Sequence, residues 1–345
     1  MLKNFNSKNS RNTFLPKKTR TLKIEQNYPK ISKEENNQSK IIKQVDNHIK
    51  ITNLHNDIVY SIIQLVDKRI ATGSYKSISI CSVNIFTKEW NIDICKENSH
   101  NKSVNSLCEL SENRLISCSF MTINIWLIAL NDLILKKTFT TAHTDWIYKV
   151  ISLTKERFAS CSIDTTVKIW ESSEPYQSIT TPQHSHSVYS ILQLKNKEIL
   201  VSSCENKSIM FWNIDIYVKE HTLKGYFSHE PTHMVELPNS KIAVSSSTKG
   251  FPIVIIDTND YRVIKQIKVN NYIKHSSSLC VLNNNSFVYI HEGKVLQIDS
   301  KDYKILNKLK VGNELDGYFG IISLGKEWFL GVPNYSYGIS ILLLN

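Results

Sequence analysis

A histidine, a serine and an aspartate in one short region of the chain could form a nucleophilic site. His143, Ser160 and Asp164 are the side-chain types of an acyl-transfer triad, in which aspartate orients histidine and histidine deprotonates serine. Trp170 follows in a stretch of Ser, Thr, Val and Ile that suits a β-strand. Because an aspartate buried without a partner is unfavourable, these residues form either a reactive site or a structural hydrogen-bond network.

The histidine belongs to a sequence unit that recurs along the chain. Four segments end in a leucine that has His ten places before it and Val or Ile six places before it: HNDIVYSIIQL (55–65), HNKSVNSLCEL (100–110), HTDWIYKVISL (143–153) and HSHSVYSILQL (184–194). With three weaker copies, the register leucines are Leu65, Leu110, Leu153, Leu194, Leu237, Leu282 and Leu324. Their spacing of 41 to 45 residues is the length of a four-stranded propeller blade.

Each unit continues as a series of short strands separated by polar turns. In the third unit the later strands are RFASCS (157–162), TVKIWE (166–171) and YQSIT (176–180). Helical periodicity is absent beyond residue 55, and turn signals recur about every ten residues, as in all-β folds. The sequence therefore predicts an all-β, seven-bladed β-propeller of four-stranded antiparallel blades.

The two ends of the repeat region predict how the ring closes. The last unit stops after its third strand, ISILLL (339–344), and HIKIT (48–52) has strand character before the first complete unit. We expect this N-terminal strand to complete the last blade, because it would pair an edge otherwise open to aggregation. The predicted domains are a basic, disordered arm over residues 1–47 and a propeller over residues 48–345.

In these residues the chain resembles the WD-repeat β-propeller family, clearly in blades one to four and in degenerate form in blades five to seven. The resemblance implies that Asp164 accepts from His143, that His143 engages Ser160, and that Ser160 meets the indole of Trp170. It implies related networks in two other blades, formed by His100, Ser117 and Trp126 and by His184, Ser202 and Trp212. A satisfied polar network of this kind fixes one packing arrangement.

Several blades depart from the full set. Blade four has Asn206 in the place of the aspartate, and blade two has a shorter turn with no aspartate. In blade one Thr72 stands for the serine and Cys81 for the tryptophan. The repeat context favours a structural network over a catalytic triad, so we expect no enzyme activity.

Aromatic residues recur where the innermost strand of a blade begins. Five of them define what is called here the aromatic end, which is the candidate partner-binding site: Tyr60, Trp146, Tyr148, Tyr189 and Phe319. Tyr and Trp are favoured interface anchors, because they bury a large area and keep a polar group. The alternative is that these aromatics only shield the blade ends. Few charged residues accompany them in the sequence, with Glu230 and His275 isolated, so a mixed aromatic and polar surface is expected.

Signals for cofactors, metals and membranes are missing from the sequence. It has no Gly-rich phosphate loop, no HExxH and no GxSxG, and its seven cysteines include no CxxC pair. We therefore expect no cofactor, no metal site and a reducing compartment. No apolar run is long enough to form a transmembrane segment.

Positive charge is concentrated before the repeats. Residues 1–54 hold twelve Lys or Arg and four acidic residues, which gives +8 of the total net charge of +11. Residues 1–24 hold seven Lys or Arg and no acid. This segment is either an inert solvated extension, or a docking arm for an acidic surface such as RNA, tubulin or anionic lipid, or a mitochondrial presequence.

Two functional hypotheses follow from these patterns. The first is a non-catalytic scaffold or adaptor that binds protein or peptide partners on one end of the propeller. The alternative is a nucleic-acid- or macromolecular-assembly-associated subunit docked through the basic arm, whose binding would depend steeply on salt. We expect a propeller that is monomeric within a larger complex. The expected compartment is the cytoplasm, with the nucleus as an alternative and the mitochondrion if residues 1–24 act as a presequence.

Overall fold

The computed structural model describes twelve ranges of the chain: residues 42–44, 48–153, 156–180, 184–195, 197–246, 250–269, 278–283, 285–291, 294–310, 321–324, 329–334 and 337–343. Lys40–Asn345 form one compact unit, and the unit Met1–Ser39 lies outside the described residues. All regular secondary structure in the described ranges is β-strand. Short runs of β-branched and aromatic residues between polar turns account for this outcome.

The strands are short, as expected for propeller blades. In chain order they are β1 (Ile42–Gln44), β2 (His48–Ile51), β3 (Ser61–Gln64), β4 (Ile70–Gly73), β5 (Ile78–Asn84), β6 (Glu89–Lys96), β7 (Ser106–Leu110), β8 (Arg114–Ser119), β9 (Thr122–Ile128), β10 (Leu133–Phe139), β11 (Ile147–Leu153), β12 (Arg157–Ser162), β13 (Val167–Glu171), β14 (Ser178–Thr180), β15 (Val188–Gln193), β16 (Ile199–Cys204), β17 (Ser208–Asn213), β18 (Val218–Leu223), β19 (Pro231–Leu237), β20 (Lys241–Ser246), β21 (Gly250–Asp257), β22 (Arg262–Val269), β23 (Ser278–Asn283), β24 (Ser286–His291), β25 (Lys294–Asp299), β26 (Ile305–Lys310), β27 (Ile322–Ser323), β28 (Phe329–Asn334) and β29 (Gly338–Leu343).

Consecutive strands pair antiparallel into sheets that each follow one sequence unit. Among the described residues, six sheets have four strands. They are β3–β6, β7–β10, β11–β14, β15–β18, β19–β22, and β27–β29 with β2 on its outer edge. The first strand of each sheet lies at one edge and contacts the first strand of the next sheet, and β27 contacts β3. These first strands therefore surround the centre of a propeller.

One sheet departs from the predicted blade. The sheet of β23–β26 has a fifth strand, because β1 pairs parallel with β26, with Ile42 opposite Lys308. The prediction of seven four-stranded blades is therefore wrong: the described residues form six four-stranded sheets and one five-stranded sheet. Ile42–Gln44 lie within the segment predicted to be a disordered arm, whose first 41 residues fall outside the described ranges. A three-residue strand has too little pattern of its own to be recognised without its partner.

The N-terminal segment also closes the ring. Strand β2 pairs antiparallel with β29, with Ile51 opposite Ile339. Buried side chains from both ends of the repeat region pack in one cluster, including Ile51, Leu54, Ile70 and Ile341. The other core clusters likewise lie between neighbouring sheets, as in the cluster that joins the third and fourth sheets through Ile169 and Leu200. Apolar burial between neighbouring sheets is therefore what holds the ring together.

Candidate functional site

The structure brings His143, Ser160, Asp164 and Trp170 into one buried hydrogen-bond chain. His143 Nδ1 lies 2.8 Å from Asp164 Oδ2, and His143 Nε2 lies 2.7 Å from Ser160 Oγ. The indole N–H of Trp170 donates to Ser160 Oγ at 2.8 Å. Because the carboxylate accepts from Nδ1–H, Nε2 of the neutral ring is left to accept from the serine hydroxyl.

Asp164 is held by more donors than the histidine alone. Its carboxylate accepts from the backbone N–H of Thr144 and of Thr166, both at 3.0 Å, and from the Thr166 hydroxyl at 2.6 Å. Burial raises the pKa of Asp164, but hydrogen bonds from His143, Thr166 and Thr144 outweigh burial and hold that pKa well below its usual range. Burial lowers the pKa of His143 despite the carboxylate beside it. The pair is therefore an ionised aspartate and a neutral histidine.

The geometry of Ser160 does not suit a nucleophile. The residue is fully buried on β12, and its hydroxyl oxygen is enclosed between the imidazole of His143 and the indole of Trp170. An attacking serine needs a substrate carbonyl within reach and donors for the developing oxyanion. The chain of hydrogen bonds instead joins the loop before β11 to strands β12 and β13 of the same blade.

Two further blades contain the His–Ser–Trp part of this arrangement. His100 Nε2 lies 2.6 Å from Ser117 Oγ, which accepts from the Trp126 indole at 2.7 Å. In the fourth blade the corresponding distances are both 2.8 Å, and they join His184, Ser202 and Trp212.

Hydroxyl groups that the sequence analysis missed take the aspartate's place in the first two blades. His55 Nδ1 lies 2.7 Å from Ser77 Oγ, and His100 Nδ1 lies 3.2 Å from Thr122 Oγ1. Ser77 and Thr122 each lie in or beside the turn between the second and third strands of their blade. A hydroxyl residue at that turn was the signal available in the sequence.

The fourth blade leaves its histidine incompletely bonded. His184 Nδ1 is buried and has no hydrogen-bond partner among the described residues. Asn206, at the aspartate position, contacts Ser185 Oγ at 2.7 Å and Ser208 Oγ instead. The neutral amide therefore does not replace the carboxylate.

The predicted aromatic residues lie where the innermost strands begin. Tyr148 and Tyr189 are the second residues of β11 and β15, and their rings contact each other with centroids 5.0 Å apart. Trp146 precedes β11 and packs edge-on against Phe120 at 5.3 Å, a partner that the sequence analysis missed. Tyr60 precedes β3, and Phe319 lies outside the described residues.

Bulges explain why the two tyrosines project from their strands. The pairing of β11 with β12 shifts between Ile147 and Lys149, which leaves Tyr148 as the extra residue. The same shift around Tyr189 occurs in the next blade, and around Thr232 in the blade after it. A β-bulge re-aims a side chain and often adjoins a binding site. Both rings are partly exposed and line a central cavity of about 710 Å³.

The surroundings of the tyrosines are more charged than the sequence suggested. Burial raises the pKa of Tyr148, and the carboxylates of Glu205 and Asp145 raise it further. Burial also raises the pKa of Tyr189 to about 12, with contributions from Tyr148, Glu205 and Glu230. The expectation of an isolated Glu230 is therefore wrong, because folding brings residues from separate blades to one end.

No group of three or more His, Cys, Asp or Glu within the described ranges could hold a metal ion. The seven cysteines are free thiols. In the same ranges there is no helix that could cross a membrane.

Comparison with known proteins identifies the repeat type. A family model described as "WD domain, G-beta repeat" matches residues 135–171 and 175–213, which contain the networks of the third and fourth blades.

Curated relatives match this chain over only a small part of their own length. "DDB1- and CUL4-associated factor 10" of Homo sapiens is 25% identical over 140 residues, which cover 39% of this chain and 24% of that protein. The Xenopus laevis protein of the same name is 25% identical over 139 residues, or 39% of this chain and 30% of the relative. "Nuclear distribution protein nudF 1" of Talaromyces marneffei is 32% identical over 69 residues, or 20% and 15%. The chain thus spans less than a third of the length of these relatives.

Each matched repeat spans the outer strand of one sheet and the first three strands of the next, and it contains the whole His–Ser–Trp network of that next sheet. Residues 135–213 of the chain therefore contain two WD repeats, and they lie within a fold of propeller blades.

Proposed function

We propose that this chain is a non-catalytic adaptor that binds protein or peptide partners at the aromatic end. The observation that carries the proposal is the Tyr148–Tyr189 pair, whose rings contact each other at two bulges and line the central cavity. Both rings are partly exposed and lie on the innermost strands of neighbouring four-stranded sheets. Trp146 extends the surface on the same strand end, because it directly precedes β11.

The chemistry of this surface suits a protein partner. A tyrosine or tryptophan side chain has few rotatable bonds, so its ordering at an interface is less unfavourable than that of a long flexible chain. Such residues dominate binding free energy when they fill a desolvated pocket at the centre of an interface. The carboxylates of Asp145, Glu205 and Glu230 near the rings add polar groups that restrict which partner fits.

The names of two relatives suggest which partners to look for first. The human and frog proteins are named for association with DDB1 and CUL4. By analogy, proteins related to DDB1 and CUL4 are candidate members of the complex that contains this chain. The similarity covers 39% of the chain, so the analogy guides the search for partners and leaves the binding surface to be determined separately.

Affinity purification with mass spectrometry tests the proposal. The full chain is purified from its native cells beside a Trp146→Ala, Tyr148→Ala, Tyr189→Ala triple variant. We expect a discrete set of proteins to be lost from the variant, because truncating central aromatic anchors typically weakens an interface by about 2 kcal/mol or more per residue. Circular dichroism and thermal unfolding of both proteins establish that the variant is folded.

A matched control replaces three exposed apolar residues elsewhere. Phe86 and Ile216 lie in turns between third and fourth strands, at the opposite end of the propeller, and Trp90 lies on an outer strand. Their triple alanine variant should keep the partners. Partners that persist in the aromatic variant and dissociate with modest added salt would contradict the proposal and favour docking through the basic arm.

A further inference from the structure

One position of the repeat forms a ring around the central cavity. The residues four places before the register leucines all line the cavity of about 710 Å³, and four of the six that the structure describes are serines. They are Ser61, Ser106, Lys149, Ser190, His233 and Ser278. This set is called the channel ring below. Lysine is the one charged side chain among these six residues.

Three members of the channel ring connect neighbouring blades. Ser61 Oγ donates to the Val104 carbonyl at 2.8 Å, and Ser106 Oγ lies 3.4 Å from the Val150 carbonyl. His233 Nδ1 accepts from the backbone N–H of a residue in β23 at 3.3 Å. In each case the partner lies on or just before the innermost strand of the next blade, so these side chains have a structural role.

Lys149 differs from the other members because most of its hydrogen-bonding capacity is unused. An ammonium group has three donors, and the one contact described for Lys149 Nζ is with Ser190 Oγ at 3.3 Å. No ion pair within the described part of the chain includes Lys149. Burial lowers the pKa of its amine. A desolvated cation without a counter-ion is unfavourable, and an anion bound beside it would relieve that penalty.

The other titratable groups of the cavity leave this role to an outside anion. Glu109 lines the cavity, but its carboxylate accepts from the Val66 N–H at 2.7 Å, near the ends of the innermost strands opposite the aromatic end. Burial lowers the pKa of His233 to about 3, so its ring is neutral at pH 7. Burial raises the pKa of Tyr148 and Tyr189, so both phenols also stay neutral.

We propose that the central cavity binds a carboxylate, supplied by an aspartate or glutamate side chain of the partner that docks on the aromatic end. Lys149 Nζ provides the charge and the Ser190 hydroxyl provides a second donor beside it. The inference rests on the proposed function, because the partner's backbone would lie against Tyr148 and Tyr189 while one side chain enters the cavity. A cavity of about 710 Å³ is large enough for such a side chain.

The charge at the opening narrows the class of ligand. Asp145, Glu205 and Glu230 lie close enough to raise the pKa of one or both tyrosines. These carboxylates repel a nucleic acid or another polyanion. A partner segment with a single carboxylate flanked by basic or neutral residues avoids this repulsion: Lys149 attracts the carboxylate inside the cavity, and the carboxylates near the tyrosines attract any basic neighbours. The favoured partner segment therefore carries one acidic residue and lacks an acidic run.

NMR spectroscopy of the full chain with ε-¹³C-lysine tests the site without a known partner. The probe is N-acetyl-glutamate methylamide, which has one side-chain carboxylate, and the matched compound is N-acetyl-glutamine methylamide. The Lys149 signal is assigned from its loss in the Lys149→Arg variant. We expect the glutamate probe to shift that signal saturably, and the glutamine compound to leave it in place. Lys168 is the internal control, because it is also partly buried but donates to the Ala142 carbonyl outside the cavity.

Three outcomes would overturn the carboxylate site. They are an unshifted Lys149 signal at saturating millimolar probe, an equal shift with the glutamine compound, and a parallel shift of Lys168. None of these outcomes changes the partner set recovered with the aromatic variant, so failure of the carboxylate site and failure of the adaptor function are distinguishable. If Lys149 responds to the probe but the aromatic variant keeps all its partners, the cavity binds a carboxylate and the aromatic end does not bind the partner. That result would overturn the part of the proposal that docks the partner on the aromatic end.

Discussion

At the scale of single residues, the buried histidines differ in what their Nδ1 atoms meet. The third blade provides a carboxylate from Asp164, whereas the first two provide hydroxyl groups from Ser77 and Thr122. The fourth blade leaves the Nδ1 atom of His184 without a partner among the described residues. Hydrogen bonds to charged groups are stronger than neutral ones, so the third blade should gain most from its network.

Removing the carboxylate of the third blade should destabilise the fold. Asp164→Ala takes the acceptor from His143 Nδ1, from the Thr166 hydroxyl and from two backbone N–H groups. We expect the free energy of unfolding to fall by about 2–4 kcal/mol, because buried donors lose the carboxylate that accepts from them. Urea denaturation measures the change, and an unchanged midpoint would refute the structural role of Asp164.

The reciprocal substitution in the fourth blade should stabilise the protein. Asn206→Asp places a carboxylate four residues after the serine of its network, which is the sequence separation between Ser160 and Asp164 in the third blade. It can accept from His184 Nδ1, so we expect a gain of about 1 kcal/mol, the net value of one hydrogen bond. Loss of stability in the same urea experiment would mean that the turn cannot bring the carboxylate to the ring.

Stability should fall as the solution becomes acidic. Burial lowers the pKa of His55, His100 and His184 to about 4, below the ordinary value of about 6.5 in the unfolded chain. Between these values the unfolded chain binds protons that the folded chain does not, so the free energy of unfolding decreases as pH falls. Each histidine contributes up to about 1.4 kcal/mol per pH unit.

The measurement is urea unfolding at several values from pH 7 to pH 4. The lowered pKa of Asp164 affects stability only near and below its unfolded pKa of about 3.9, so it acts at the acidic limit of this window. His184→Asn should reduce the slope, since one of the histidine protons taken up on unfolding is then removed. Stability that stays constant or increases toward pH 4 would disprove the assignment of neutral buried histidines.

At the scale of elements, the strand ends and their bulges determine what the propeller presents. The innermost strands of three consecutive sheets each carry one extra residue, and two of these residues are Tyr148 and Tyr189. The residue spacing predicted that these aromatics begin their strands. A bulge depends on the register with the neighbouring strand, so the repeat pattern alone did not reveal it.

The closing pair of strands depends on a glycine. A Cβ atom at position 338 would lie 1.9 Å from the carbonyl oxygen of Ile51 on β2. Gly338→Ala must therefore push β2 away from β29, and we expect it to destabilise the protein by about 1–3 kcal/mol more than a glycine substitution without a clash. Gly225→Ala is that control, because no atom lies within 4 Å of its added Cβ, although its φ of +89° is itself unfavourable to alanine.

Thermal unfolding and size-exclusion chromatography distinguish the two variants. A displaced β2 exposes the edge of β29, and an exposed edge promotes association between chains. We therefore expect Gly338→Ala to melt earlier than Gly225→Ala and to form oligomers. Equal melting temperatures and a monodisperse Gly338→Ala protein would show that β2 does not close the ring.

At the scale of the whole molecule, the sequence predicted the architecture better than the surface. The recurring leucines and the His–Ser–Trp spacing predicted the blades, because each blade repeats one hydrophobic pattern and one local network. The parallel strand Ile42–Gln44 was missed, since its definition comes from β26, which is more than 260 residues away in the sequence. The approach of Glu205 to Tyr148 and of Glu230 to Tyr189 was missed for the same reason, because these residues come from separate sequence units and meet only in the fold, whereas Asp145 adjoins Trp146 in the sequence.

The central claim is that the aromatic end docks a protein partner, and photo-crosslinking tests it most directly. The crosslinking amino acid p-benzoylphenylalanine replaces Trp146 in one protein and Trp90, on the outer strand β6, in the other. After irradiation in the native cells, crosslinked products are separated and identified by mass spectrometry. The account predicts a discrete partner crosslinked through position 146 and absent from position 90. The same products from both positions, or none from position 146, would contradict it.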